Sequence, residues 1–412
     1  MIKLTPEEVK ECLATTPQIT FEVTERCNLN CTYCGYGKLY SDKDSRSDRN
    51  LHADDAIAFL SFIKKLWEDG YDTTGESVVY ISFYGGEPLL NMPFIKEIVF
   101  FVESQLQSYN KHFVFSMTTN AILLPHYIKY LVEKDFHLLL SLDGDENGSS
   151  YRIYRNGKPA YKTIVDNINI VKSSYPAFYK KNITFNAVLN DRNTIQGIND
   201  FFSLHFCKKP FIGEINVTGI NPNEIDLFKK IFRSKTQEVA KERGLQIENF
   251  QESTSYDTVA RYLQMHSPYF YLSYNELLYG KNSRKSVPTG TCLPFGKKVF
   301  ITVSGKILPC EHISHKYHLA QIHNGKIEID FLSIANKYNI FFEHLDNTCR
   351  KCRDYNSCQR CMFHTGQLES EKAQCAHFVD KLSFERMKQS VMTYIQENPA
   401  AYVYIMKNFE TI

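Results

Sequence analysis

Apolar residues in the first half of the chain switch repeatedly between two periods. Gln18–Val23 alternates and is rich in β-formers, which predicts a strand. Asp54–Asp69 carries Ile57, Leu60, Ile63 and Trp67 at helical spacing, and Val78–Tyr84 is a continuous apolar run of the buried parallel type. The same exchange predicts helix Pro93–Tyr109, strand Phe113–Thr118, helix Pro125–Lys134, strand Phe136–Leu142, helix Tyr161–Ser173 and strand Ile183–Leu189. A helix near Asn193–Leu204 and a strand near Glu214–Val217 complete about six β/α units, an α/β pattern whose active-site loops gather at the C-terminal ends of the strands. Outside this alternation, Pro6–Ala14 predicts a short helix, Asn223–Arg243 another, and Lys381–Asn408 a packing helix carrying Leu382, Phe384, Met387, Val391, Tyr394 and Ile395. The stretch between 236 and 290, with Tyr269, Tyr271 and Tyr274, reads as a linker region.

Candidate chemistry sits where strands end. The first strand delivers Cys27, Cys31 and Cys34, spaced C-x3-C-x2-C, with Tyr33 just before the last. Three thiolates from one short loop can hold three irons of a [4Fe–4S] cube and leave the fourth open. A zinc loop is the plainer alternative, but structural zinc usually takes four ligands, typically from paired C-x2-C units. The second strand ends in Gly85-Gly86-Glu87-Pro88, the third in Thr118-Thr119-Asn120, and the fourth in Ser141-Leu142-Asp143-Gly144, with Arg152 and Arg155 in the following loop. Each has a plain structural reading: a β–α corner, a helix N-cap, an Asp-Gly turn.

Composition narrows the rest. The 412 residues, 43% hydrophobic and 14% aromatic, suit a barrel-sized domain plus smaller units. Lys+Arg 48 against Asp+Glu 46 gives +2, so no nucleic-acid field is expected, and Arg284, Lys285, Lys297 and Lys298 read as a solvated face. No apolar run is long enough to span a membrane and the start lacks a signal-peptide layout, so a cytoplasmic protein is expected. Twelve cysteines in a reducing compartment point to metal ligation, with Cys12 and Cys207 left over as small apolar residues. From Cys292 a second group begins: Cys292, Gly305 and Cys310 in C-x12-G-x4-C, then Cys349-x2-Cys352-x5-Cys358-x2-Cys361, then Cys375. A metal-stapled mini-domain accounts for such a density, with zinc as the alternative to iron–sulfur.

The first cysteine loop, with Tyr33 in the aromatic place, resembles the C-x3-C-x-aromatic-C signature of radical S-adenosylmethionine (SAM) enzymes, and the second group resembles their SPASM extension. The resemblance implies a partial (β/α)6 TIM-like barrel with a C-terminal iron–sulfur SPASM domain. The corresponding division is an extension at 1–16, the barrel at 17–235, a linker at 236–290, the SPASM domain at 291–380 and a C-terminal helix at 381–412. It also implies three [4Fe–4S] clusters and SAM, cleaved by one electron to a 5′-deoxyadenosyl radical that takes hydrogen from substrate. Gly85, Gly86, Glu87 and Pro88 would receive the SAM amino group, Thr119 and Asn120 would lie near SAM, Ser141 and Asp143 would bind ribose hydroxyls, and Arg152 or Arg155 would meet the carboxylate. Carried over, the SPASM ligation gives Cys292, Cys310 and Cys361 to one auxiliary cluster and Cys349, Cys352, Cys358 and Cys375 to the other. The first then lacks a fourth cysteine, leaving His312, Glu311 or an open iron. The C-x2-C between Cys358 and Cys361 departs from the family's C-x3-C. Glu311 stands where sulfatase-maturing relatives place an acidic base, with a solvated turn residue as its alternative.

The text around the first loop, Thr24 to Gly37, resembles the peptide maturases of Bacteroidales double-glycine-leader systems. The expected activity is oxidative modification of a ribosomally made peptide, with a leader-bearing precursor peptide and a reductant such as flavodoxin or ferredoxin as partners. The alternatives are an anaerobic sulfatase maturase making formylglycine and a non-catalytic iron–sulfur scaffold. Seventeen residues before the first strand are too few for a fused leader-binding winged-helix domain.

Overall fold

The computed structural model describes residues 3–74, 76–107, 109–235, 259, 262, 263, 292–353, 358, 361–365, 367–371, 373, 375 and 378–407. The expected linker at 236–290 therefore lies almost wholly outside the described residues, as do Tyr269, Tyr271, Tyr274, Arg284 and Lys285. The structure holds two compact units.

The larger unit, Thr5–Glu238 with Cys292–Ala335, is built on a ten-stranded sheet. Strands β1 (Gln18–Thr24), β2 (Ser77–Gly85), β3 (Lys111–Thr119), β4 (His137–Ser141), β5 (Ile183–Leu189) and β6 (Phe211–Glu214) lie side by side and parallel. Helices α1 (Pro6–Ala14), α2 (Ala53–Glu68), α3 (Met92–Gln105), α4 (Leu124–Glu133), α5 (Tyr161–Ser174), α6 (Pro176–Asn182), α7 (Ile195–Phe206) and α8 (Ile225–Ile231) accompany them. Thr5 and Glu8 close a capping box at the start of α1, and the Thr194 hydroxyl accepts from the Gly197 N–H at the start of α7.

One parity of the strands is apolar up to Thr119 at the end of β3: Phe21, Ile81, Phe83, Met117, Leu138, Leu140, Phe185 and Ala187 are buried. The other parity is largely polar, because register and the two-residue period place Thr20, Glu22, Ser82, Tyr84, Ser116, Thr118, Ser141, Thr184 and Asn186 on a common face. Gln18 Nε2 donates to Ser82 Oγ at 2.8 Å and Ser82 Oγ meets Ser116 Oγ at 2.6 Å across three strands of that face. A sheet with one polar inner face is made to meet a polar guest; a closed barrel filled by its own side chains has apolar layers there.

Several boundaries differ from the sequence reading. The sixth strand is Phe211–Glu214, ahead of the expected Glu214–Val217, since α7 ends at Cys207 in a left-handed conformation (φ 52°) and the chain turns at once. The single expected C-terminal helix is broken at Asn398, where Pro399 interrupts it, into α10 (Lys381–Glu397) and α11 (Pro399–Lys407). The helix expected over 223–243 is a 3-10 turn at Pro222–Glu224 followed by α8; 236–243 lie outside the described residues.

The segment after Cys292 adds β7 (Val299–Ile301), β8 (Lys306–Leu308), β9 (Ala320–His323) and β10 (Lys326–Ile329), none of which the period analysis anticipated. β7 is parallel to β1 and the other three run on antiparallel, so Cys292–Ala335, expected within the 291–380 domain, groups with the barrel. Gly305 (φ 78°) makes the β7–β8 turn; a Cβ there would lie 1.9 Å from the Ile322 carbonyl oxygen.

The second unit contains α9 (Phe331–Cys349) from Asn336 onward, the cysteine-bearing segment and α10 and α11. Its described core joins Tyr338, Phe342, Leu345, Met362 and Phe363, with Tyr338 edge-on to Phe363 at 6.0 Å. Val391 packs with Val259 and Leu263. Among the described residues no helix is long and apolar enough to cross a membrane.

Candidate functional site

β1 ends at Thr24 and the next turns carry Cys27, Cys31 and Cys34, all half-buried and none in a disulfide. The loop is wound by the Cys34 N–H to the Cys31 carbonyl (3.1 Å) and the Gly37 N–H to the Cys34 carbonyl (2.8 Å). It is tied to the loop after β4 by the Asn30 N–H to the Ile153 carbonyl (2.7 Å) and the Thr32 N–H to the Tyr151 carbonyl (3.1 Å). Burial pushes the Cys27 thiol up to about 11 and Cys31 up to about 12. Thiols so protected become thiolates only against strong positive charge, which a metal centre supplies. Three accessible soft donors on one turn fit an iron–sulfur cluster.

The Gly85-Gly86-Glu87-Pro88 turn faces the root of this loop. Gly85 has φ 130°, and a Cβ there would sit 2.6 Å from the Thr24 carbonyl oxygen; one on Gly86 would sit 2.1 Å from that of Arg26. The Gly86 N–H donates to Thr24 O and the Glu87 N–H to Arg26 O, both at 2.8 Å. The close approach expected toward a ligand is thus made first to the cysteine loop itself. Glu87 is fully buried and accepts from the Thr119 hydroxyl (2.6 Å), the Asn120 N–H (2.8 Å) and the Leu89 N–H (3.2 Å), while Pro88 opens a 3-10 turn to Asn91. Burial pushes its carboxyl up to about 7. Asn120 Nδ2 donates to Asn28 Oδ1 (2.7 Å) and lies 3.7 Å from Cys27 Sγ, so the ends of β2 and β3 and the cysteine loop form one bonded cluster.

Ser141 closes β4 beside Asn186 of β5, half-buried on the polar face. The two residues expected beyond it, at ribose and carboxylate, are paired with each other. Asp143 is fully buried and takes Arg152 Nε at 3.0 Å and Nη2 at 2.9 Å, together with the Tyr33 hydroxyl and the Val188 N–H. Arg155 is exposed and reaches Asp48 at 3.2 Å.

After β8, Cys310, Glu311 and His312 bring a thiol, a carboxylate oxygen and an imidazole nitrogen within 4.8 Å of one another. Glu311 is not a solvated turn residue: its side chain is 14% exposed and Lys298 Nζ lies 2.9 Å from Oε1, with His312 Nε2 at 3.4 Å and Cys310 Sγ 3.5 Å from Oε2. Burial opposes its ionisation, but the neighbouring His312 and Lys298 hold the carboxyl below its ordinary range. Burial raises the Tyr84 hydroxyl, with the charges of Glu311 and Cys34 adding to the effect, and its ring lies 6.3 Å from those of Tyr36 and Phe300.

The sequence reading passed over the residues that link these parts. Lys298, taken for part of a solvated face, is the partner of Glu311. Lys43 Nζ meets the carbonyls of Ile313 (2.5 Å) and Glu311 (3.4 Å), and Asp44 takes Lys306 (2.6 Å), Ser304 (3.0 Å) and His315 (3.2 Å). Arg46 pairs with buried Glu22 at 2.5 Å and stacks 3.7 Å over the Tyr36 ring. A charged residue inside a buried strand, Glu22, was the available signal, since it demands a partner.

The radical SAM superfamily model matches residues 21–204. Those residues are a radical SAM domain. An uncharacterized protein of Methanocaldococcus jannaschii is 32% identical over 157 residues, 38% of this chain and 48% of that protein. The chain thus spans about half that relative's length. A cysteine-type anaerobic sulfatase-maturating enzyme of Clostridium novyi is 23% identical over 359 residues, 82% of this chain and 84% of the enzyme. The solved structure of native anSMEcpe with bound AdoMet and the Cp18Cys peptide superposes with a TM-score of 0.55 at 16% identity, over 96% of this chain and 100% of that one, so the partial-barrel fold is shared. In the radical SAM domain here, the cysteine loop leaves β1 and the polar sheet face lies beneath it.

Proposed function

We propose that the chain modifies a peptide or protein side chain oxidatively, with an iron–sulfur cluster on Cys27, Cys31 and Cys34, SAM on the polar sheet face, and Glu311 as the base. The observation that carries this reading is the half-buried Glu311 carboxylate, held by Lys298 at 2.9 Å on a segment that Lys43, in the chain following Cys34, fastens through the carbonyls of Glu311 and Ile313. When bound, the cluster and SAM supply a hydrogen-abstracting carbon radical. Glu311, kept ionised by Lys298 and His312, takes the proton that leaves as the substrate is oxidised. Asn120, fixed by Asn28 and by its N–H to Glu87, and Ser141 supply polar contacts along the sheet ends. Cys292 and Cys310 in the larger unit, and Cys349, Cys352, Cys358, Cys361 and Cys375 in the second, would hold auxiliary clusters able to take up the second electron. None of these cysteines is in a disulfide.

The substrate is a ribosomally made precursor peptide, in keeping with the loop sequence from Thr24 to Gly37. A second reading, formylglycine formation on a sulfatase, is favoured by the buried Glu311 and by the long clostridial match. Anaerobic co-expression with a small peptide encoded beside the gene, and separately with a sulfatase carrying the target cysteine or serine, decides between them by intact mass. A loss of two hydrogens from the peptide establishes the first reading; formylglycine in the sulfatase establishes the second. No change in either overturns the oxidative assignment.

A further inference from the structure

Behind the cysteine loop Asp143, Arg152 and Tyr33 close a buried knot. Asp143 is fully buried and its two oxygens receive four donors: Arg152 Nε and Nη2, the Tyr33 hydroxyl and the Val188 N–H. Arg152 is itself 6% exposed, and its guanidinium lies 5.6 Å from the Tyr33 ring centroid. Cys31 packs against the same core, formed with Tyr33, which lies beside the Arg152 guanidinium, and with Tyr151, the neighbour of Arg152 in the chain. The backbone on both sides of Arg152 is fastened to the loop through Tyr151 and Ile153. Arg152 is therefore tied to the cysteine loop twice, by its flanking backbone and through Asp143 and Tyr33.

A fully buried bidentate ion pair with the hydroxyl of the motif's own aromatic residue as its third member is more than a turn requires. Buried charge is costly to desolvate, and removing one partner strands the other. We propose that Arg152 is a positioning residue of the cluster on Cys27, Cys31 and Cys34: held by Asp143 and Tyr33, it sets the reduction potential of that cluster. The inference rests on the reading that these cysteines hold a [4Fe–4S] centre. Its one-electron reduction adds a negative charge to a centre already bearing three thiolates, so a fixed cation behind Cys31 favours the reduced state and the carboxylate of Asp143 partly offsets it.

The test is an EPR-monitored redox titration of the anaerobically purified holoprotein, with dithionite as electron donor. The relevant signal is identified as the one missing from the C27A/C31A/C34A variant. Arg152→Met is expected to lower the midpoint and Asp143→Asn to raise it. Each shift corresponds to about a tenfold change in the reduced-to-oxidised ratio at fixed potential, about 59 mV for a one-electron couple. Arg152→Lys keeps the charge and is expected to stay near wild type. Opposite signs from the two neutralising variants are what a merely structural role does not produce. Unchanged midpoints at full iron content, shifts of the same sign, or loss of the signal from both neutralising variants overturns the proposal. A wild-type protein without the signal overturns instead the assignment of the three cysteines.

Discussion

The first cysteine loop and the segment from Cys349 to Cys375 carry the same donor in contrasting surroundings. The loop at 27–34 has its path fixed by protein alone: the Gly85–Glu87 backbone bonds its root, the 151–153 backbone bonds its middle, and the Asp143–Arg152 pair backs it. In the later segment, described backbone bonds gather around Cys352. The Cys352 N–H bonds the Cys349 carbonyl at 3.0 Å, the Arg353 N–H bonds the Val379 carbonyl at 2.9 Å, and Cys352 Sγ accepts from the Val379 N–H at 3.4 Å. Strand pairing built the first site, and a strand end has neighbours on both sides to define it. In the second, the described cysteines follow a helix end and short turns, and under the proposed auxiliary-cluster ligation metal binding would add folding free energy of its own.

The sharpest way to break that contrast is to remove iron. Chelation under reducing conditions is expected to open amides across 349–379 to hydrogen exchange by two or more orders of magnitude while β1–β5 stay protected. Equal protection loss in both regions would erase the distinction. Next in size is Gly86→Ala, which drives a Cβ to 2.1 Å from Arg26 O and is expected to cost about 2–4 kcal/mol and to lower first-cluster occupancy, read by denaturation and iron content. Gly35→Ala, where a Cβ meets nothing within 4 Å, is the control and is expected to cost less than about 1 kcal/mol.

A smaller effect comes from Glu87. Its folded carboxyl titrates at about 7 against an ordinary 4.5, so it binds a proton in the folded chain that the unfolded chain has lost. The associated stability is full below 4.5 and falls as pH rises through 7, an expected loss of about 1–3 kcal/mol over that window. Glu87→Gln is expected to flatten the slope in denaturation series at several pH values. Glu311→Gln is expected to leave global stability within about 1 kcal/mol and SAM cleavage intact, while peptide oxidation falls at least tenfold; equal loss of both would remove the proposed base from the chemistry.

The barrel was legible because its period-two apolar runs are paired with helices whose buried faces repeat at 3.6, as in Phe59, Leu60, Ile63 and Leu66 of α2. The periods place Gly85–Pro88, Thr119 and Asn120 at strand ends, and the cysteine spacing places Tyr33 in the loop after the first strand. Their partners were not legible. That Glu87 bonds Asn120, or that Asp143 bonds Arg152, depends on how neighbouring strand ends meet, which no period records. β7–β10 were missed because three- and four-residue strands are too short to show alternation. Arg46 stands in a stretch with neither period, and only the buried Glu22 it pairs with reveals why a charge belongs there.

The most direct measurement is 5′-deoxyadenosine formation from SAM by anaerobically reconstituted wild type and by the C27A/C31A/C34A variant, with iron counted in both. The account predicts product from wild type, none from the variant, and retained auxiliary iron in the variant. Continued 5′-deoxyadenosine formation by the variant would contradict it.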